Sequence, residues 1–114
     1  MKFNELDEFK KDLRRLLKKY RTLNDDLGTL KKVIEAEPDE RPPVSYTISG
    51  LGLQTQIIKV KRLACRALKG KGSNTGLRLI YAYDKTEGKI TLIEFYNKNE
   101  KENEDRDRIK KYFK

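Results

Sequence analysis

The sequence predicts an α+β domain: an N-terminal helical hairpin packed on an antiparallel sheet of three to four strands, closed by a C-terminal helix. Three observations carry this expectation. Apolar residues step by three and four through residue 34, and from residue 56 they alternate or run strongly β-prone. Clusters of proline and glycine separate the two regimes. Helices segregated from a run of strands define the α+β class.

Phe3, Leu6, Phe9, Leu13, Leu16, Leu17 and Tyr20 share one helical face, with Lys and Arg covering the other, so a helix is predicted over residues 3–20. Thr22 or Asn24 can cap a second helix whose stripe is Leu23, Leu27, Leu30, Val33 and Ile34, and Asp25 and Asp26 suit its N-terminal dipole. The connection between the two is only a few residues, so they are expected to fold back antiparallel. Pro38, Pro42 and Pro43 end the helical region. Residues 44–48 read as a short strand. Residues 56–63 then place Ile58 and Val60 on one face and Lys59 and Lys61 on the other. Residues 69–76 form a basic, glycine-rich loop. Residues 77–83 are apolar on both faces except for Arg78, which predicts a central strand. A five-residue hairpin loop over 84–88 leads to a last strand over 89–96. Ile109, Tyr112 and Phe113 then stripe a terminal helix.

The chain has 114 residues with 27 Lys+Arg against 18 Asp+Glu, a formal charge of +9. That length is one domain, residues 1–114. No apolar run approaches the ~18 residues of a membrane span, and no signal-peptide pattern opens the chain, so a cytoplasmic protein with no membrane partner is expected. Lone Cys65 cannot close an internal disulfide and reads as a small buried hydrophobe. Histidine is absent, which excludes histidine acid–base catalysis and His-ligated zinc. No metal and no cofactor are expected.

The charge is concentrated. Lys59, Lys61, Arg62, Arg66, Lys69, Lys71 and Arg78 are seven cations with no acid among them over residues 59–78. Such a stretch attracts polyanions, because each neutralised phosphate releases condensed counterions. The loop glycines Gly70, Gly72 and Gly76 match neither phosphate-binding fingerprint and lie between strands, so a basic hairpin touching a nucleic-acid backbone is the expected use. Lys59, Lys61 and Arg78 fall on neighbouring strands ~5 Å apart and can converge on one phosphate. Tyr81, Tyr83 and Tyr96 lie nearby as stacking surfaces or as core. RNA carries its own nucleophile, the 2′-hydroxyl, so a chain without histidine can still cleave it by positioning and charge stabilisation. Glu94 and Glu100 are the carboxylates nearest this surface.

Several of these segments resemble the RelE/ParE toxin superfamily. They are Phe9-Lys10-Lys11-Asp12-Leu13 with Leu16-Leu17-Lys18-Lys19-Tyr20, Ile58-Lys59-Val60-Lys61, Gly76-Leu77-Arg78-Leu79-Ile80-Tyr81, and Ile90-Thr91-Leu92-Ile93-Glu94-Phe95-Tyr96-Asn97-Lys98. The resemblance runs through nearly the whole chain in order. It implies a RelE-like fold and the toxin of a type II toxin–antitoxin pair, cutting mRNA on the ribosome without a metal. It also implies a cognate antitoxin that blocks the basic face. By the same resemblance Lys59, Lys61, Arg78 and Lys98 match the family's strand lysines, phosphate arginine and tail lysine. Tyr96, Glu100 and Lys101 complete a variant catalytic and RNA-contact set, with Arg62, Arg66, Lys69, Lys71 and Tyr81 as further RNA contacts. The tail departs from the family: Asn99 and Asn103-Glu104 stand where RelE has an arginine and then a catalytic tyrosine. Two alternatives therefore stay open. One is a member without nuclease activity (a gyrase inhibitor or an inactive toxin), and the other is a plain nucleic-acid-binding module.

Overall fold

Helix α1 spans Asp7–Leu17 and begins four residues later than the apolar spacing from Phe3 predicts, because Lys2–Glu5 is a strand, β1. The computed structural model describes residues 1–113; Lys114, the last residue of the expected 1–114 domain, lies outside them. β1 runs parallel to the last strand, pairing Phe3 with Ile90 and Glu5 with Leu92. Backbone bonds from Lys2 N to Gly88 O and from Leu6 N to Leu92 O close the two ends of this pairing. Phe3 and Leu6 still pack against the core, so the same two apolar residues serve a strand as well as the predicted helical turn. The winning term is backbone pairing: without β1, the last strand would be an edge strand with unpaired amides.

Asp7 and Glu8 open α1 and Arg14 and Arg15 close it, as the helix dipole favours. Helix α2 spans Leu23–Ala36 with Thr22 at its N-cap position, but the Thr22 hydroxyl does not cap it. That hydroxyl donates to Asp26 Oδ2 (2.7 Å) and accepts from Ala67 N (2.9 Å), tying α2 to the segment after the basic strand. Asn24 lies inside the helix.

The sheet has five strands in the order β1-β5-β4-β3-β2, with β2 at Ser45–Thr47, β3 at Gln56–Val60, β4 at Leu77–Asp84 and β5 at Lys89–Asn97. It is mixed, and larger than the three to four antiparallel strands expected: β2 to β5 pair antiparallel and β1 alone is parallel. β4 is central, as its apolar run predicts. Helix α3 spans Arg106–Phe113.

Strand alternation divides the apolar residues between two cores. On one face Ile58, Val60, Leu77, Leu79 and Tyr81 meet Phe9 and Leu16 of α1 and Leu23, Leu27 and Ile34 of α2. The Phe9 and Phe95 rings stack there with centroids 6.0 Å apart. On the other face Ile57, Ile80, Ala82 and Tyr96 meet Leu51 and Ile109 of α3. A bulge shifts the β4–β5 register between Ile80 and Tyr81. Ile80 faces Glu94 while Tyr81 faces Leu92, so Ile93 is the extra residue and joins the second core. Among the described residues no helix is long and apolar enough to cross a membrane.

Candidate functional site

The second face also carries the polar chemistry. Tyr46 pairs with Lys59 across β2–β3, and Arg78 pairs with Tyr96 across β4–β5, so these four side chains project from the same side of the sheet. The chain treats the two ends of this surface in opposite ways.

At the open end, Tyr46, Lys61, Arg62, Asn74, Gly76, Arg78 and Lys98, with Pro43, line a cleft of about 240 Å³. Lys61, Arg62 and Lys98 are exposed and Arg78 is half-buried. Among the described residues none of these four cations has a carboxylate within 4.0 Å. The Arg78 guanidinium is aimed by two backbone carbonyls, donating from Nη1 to Lys61 O (2.8 Å) and to Leu77 O (3.2 Å). The Lys61 ammonium lies 5.1 Å from the centroid of the Tyr46 ring. Lys98 is set by its backbone, whose N–H donates to Gly76 O at 2.9 Å. Gly76 holds φ +81, and a Cβ there would stand 3.1 Å from Asn97 Oδ1. Glycine is needed at this wall both for its backbone conformation and for the close approach. The loop wall is pinned as well: Thr75 Oγ1 donates to Leu63 O (2.8 Å) and accepts from Leu77 N (3.2 Å).

The other end is sealed by the chain after β5. The Lys59 ammonium donates to Glu104 Oε1 at 3.0 Å, with both side chains largely buried (14% and 7% exposed). Burial pushes the Lys59 ammonium down, but the Glu104 and Tyr96 contacts more than offset it and hold it above its ordinary value. Burial likewise pushes Glu104 up, and Lys59 and Arg106 bring it below its ordinary value. Each partner keeps the other charged. Buried Glu94 accepts from Asp105 N (2.8 Å) and from the Lys101 ammonium, which fastens the segment to β5. Arg108 of α3 adds bonds to Ile93 O (2.9 Å) and to Asp12 Oδ2 of α1 (2.8 Å), an oxygen that also accepts from Phe95 N.

The sequence-predicted site therefore splits. Lys61, Arg62, Arg78 and Lys98 come together. Lys59 does not join them, because Glu104 covers and neutralises it. Tyr96 is buried, and burial raises its hydroxyl above the usual range against the pull of Lys59. Tyr81 is also core; its hydroxyl donates to Pro38 O at 2.7 Å, and its pKa is raised by burial against the opposing Arg41 charge. Neither ring offers a face to a ligand. Glu100 turns toward α1, bonding Lys19 at 3.1 Å with Arg15 at 3.9 Å. Arg66 is held by Asp25 (3.0 Å) and Asp26 (3.4 Å) of α2. Lys69 and Lys71 are exposed on the loop but outside the cleft lining. Pro43 and Tyr46 are the lining residues that sequence reasoning missed, and Asn74 and Gly76 were reached only as part of the basic loop. The only signal for Tyr46 was an aromatic in a short polar strand, which says nothing about its neighbours across the sheet.

Comparison with known proteins bears on the fold. No protein-family model matches the sequence, and no curated protein matches it. Among solved structures, the chain is similar to a copper-bound mutant toxin from Helicobacter pylori at TM-score 0.50 and 17% identity, covering 89% of this chain and 98% of that one. At that identity the likeness is one of fold. The described residues form three helices and a five-stranded mixed sheet, an α+β fold similar to that of this toxin.

Proposed function

We propose that this protein is a toxin of the RelE/ParE kind, with α1 and α2 as the family's helical hairpin on the sheet, acting on mRNA at the ribosome under the control of a cognate antitoxin. The single observation that supports the reading most is the convergence of four cations with no carboxylate partner among the described residues, Lys61, Arg62, Arg78 and Lys98, around one cleft on a toxin-like fold. Phosphate oxygens satisfy such a cluster, and the guanidinium and ammonium groups would stabilise the added negative charge as the RNA's own 2′-hydroxyl attacks the adjacent phosphorus. The substrate supplies the nucleophile. Water takes the proton that the 2′-hydroxyl loses as its oxygen bonds to phosphorus, and Lys98 and Lys61 are the cleft groups able to pass a proton to the 5′-oxygen as its bond to phosphorus breaks.

The test is primer extension on mRNA from cells expressing the protein. Cuts phased to codons are expected, and Lys61→Ala with Arg78→Ala should abolish them together with growth arrest while the protein stays folded. Intact transcripts with persistent toxicity would overturn the nuclease reading.

A second reading, a toxin of this fold without nuclease activity that inhibits gyrase or is inactive, is favoured by one observation. Of the tail residues Tyr96, Lys98, Glu100 and Lys101, Lys98 alone lines the cleft. Supercoiling defects in expressing cells, without mRNA cuts, are the outcome that would select it.

A further inference from the structure

Tyr46 lies on β2, an edge strand, and is exposed at 39%, unusual for a large aromatic side chain in this molecule. Its ring borders the cleft that holds Lys61, Arg62, Arg78 and Lys98, with Asn74 among the other lining residues. The Lys61 ammonium lies over one face of the ring, 5.1 Å from its centroid, while the residue as a whole keeps 39% of its surface exposed, so a base stacks on the face away from Lys61. A flat aromatic beside a phosphate-sized cluster of cations has the two chemistries of a single nucleotide: a π surface for a base and donors for its phosphate. The faces of bases inside a duplex are already occupied by their neighbours, so this arrangement accepts a base only from an unstacked strand.

We infer that the cleft is a single-strand nucleotide subsite, in which Tyr46 stacks one base of an RNA strand while Lys61, Arg78 and Lys98 hold the adjoining phosphate. This rests on the nucleic-acid reading of the cleft and adds to it the selectivity for single strands and the residue responsible. Asn74, with a side-chain amide able to donate and accept, stands where it can bond an edge of the stacked base.

Fluorescence anisotropy with a labelled adenosine-rich RNA decamer tests the assignment, using the intact chain, Tyr46→Ala, Tyr46→Phe, and Lys61→Ala with Arg78→Ala. Tyr46→Ala should weaken binding about tenfold, as loss of one stacked base does. Tyr46→Phe should stay within about twofold of the wild type, because stacking needs no hydroxyl. The salt dependence separates the roles. Tyr46→Ala should keep the wild-type slope of log K against log salt, whereas the double cation variant should lower it by about 1 to 2. An RNA duplex of the same sequence should bind more weakly than the single strand, and adenosine monophosphate should fail to compete at decamer concentrations. A DNA decamer that binds equally keeps the subsite and removes its sugar preference.

Tyr46→Ala binding as the wild type does, or a duplex binding as tightly as the single strand, overturns the stacking assignment while the cation variant still reports a phosphate site. A Tyr46→Ala loss accompanied by a lower slope would assign the effect to a displaced Lys61 and overturn it too. If the double cation variant binds normally, the nucleic-acid reading of the cleft itself fails.

Discussion

Lys59 lies in β3 and Lys61 just past its end, two residues on, and the chain uses them for opposite ends. Lys59 is buried against Glu104, beside Tyr96 and close to the Glu94 anchor that holds residues 101–105 onto β5. Lys61 stands in the open with Arg62, Arg78 and Lys98. Residue type does not distinguish them. What differs is whether the segment following β5 delivers a carboxylate: it brings Glu104 over Lys59 and leaves only a lysine, Lys98, beside Arg78. One end of the surface is spent on holding α3 in place, and the other keeps its positive potential for a ligand. The basic segment over residues 59–61 is thus two structures, one internal and one facing outward.

The comparison breaks most decisively through the open end. Lys61→Ala with Arg78→Ala should reduce affinity for single-stranded RNA about 100-fold, each charged contact contributing about 1.5 kcal/mol or more, with thermal unfolding nearly unchanged. A comparable loss from Lys59→Ala measured at equal folded fraction would erase the distinction between the two ends.

The sealed end should respond in stability instead. Glu104→Gln leaves the Lys59 ammonium largely buried without its counter-charge and should lower unfolding free energy by about 3 kcal/mol in urea titration. Lys61→Ala, by contrast, should cost no more than about 0.5 kcal/mol. Equal effects from the two would mean that the Lys59–Glu104 pair is solvated.

Acidity sharpens the same point. Glu104 is held below its ordinary value in the folded protein, so its contribution is present above the unfolded carboxylate value near 4.3 and is lost as pH falls through the lowered folded value. The stability gap between wild type and Glu104→Gln should be constant from neutral pH down to about 5 and close below about 4. Lys59, held above its ordinary value, adds stability that is complete below about 10.4 and lost as pH rises through the raised value. A gap that persists unchanged at about pH 3 would show that the carboxylate charge is not what holds the segment.

Gly76→Ala probes how the open end is built. Its positive φ and the 3.1 Å approach to Asn97 should together cost about 1–3 kcal/mol, and the shift of Lys98 should weaken RNA binding even at full folding. The smallest effect is expected from Lys69→Ala with Lys71→Ala. These residues are exposed outside the cleft lining, so the pair should change affinity by about twofold at moderate salt.

Much of the architecture was legible from periodicity. The stripe from Phe9 to Leu17, the stripe of α2, the central place of β4 and the terminal helix all follow from spacing, because burial imposes 3.6- and 2-residue repeats on the chain. β1 was not legible. Phe3 and Leu6 satisfy helical spacing, and pairing with a strand some 87 positions away leaves no local mark. The candidate site was legible as charge and not as geometry. Lys61, Arg62, Arg78 and Lys98 could be named from composition and likeness, but nothing near Lys59 in sequence announces a partner 45 residues on. Tyr46 is the converse case, an unremarkable residue made prominent by its cross-sheet neighbours.

The amino-acid order alone determines a basic α+β chain with no histidine chemistry and a run of cations over residues 59–78, since these depend only on composition and local repeat. Which of those cations stay available, which tyrosines are core, and where an aromatic meets a phosphate-sized cluster were decided by tertiary structure. The reason is that charge pairing and burial act between groups distant in sequence, and only the packed fold sets those distances.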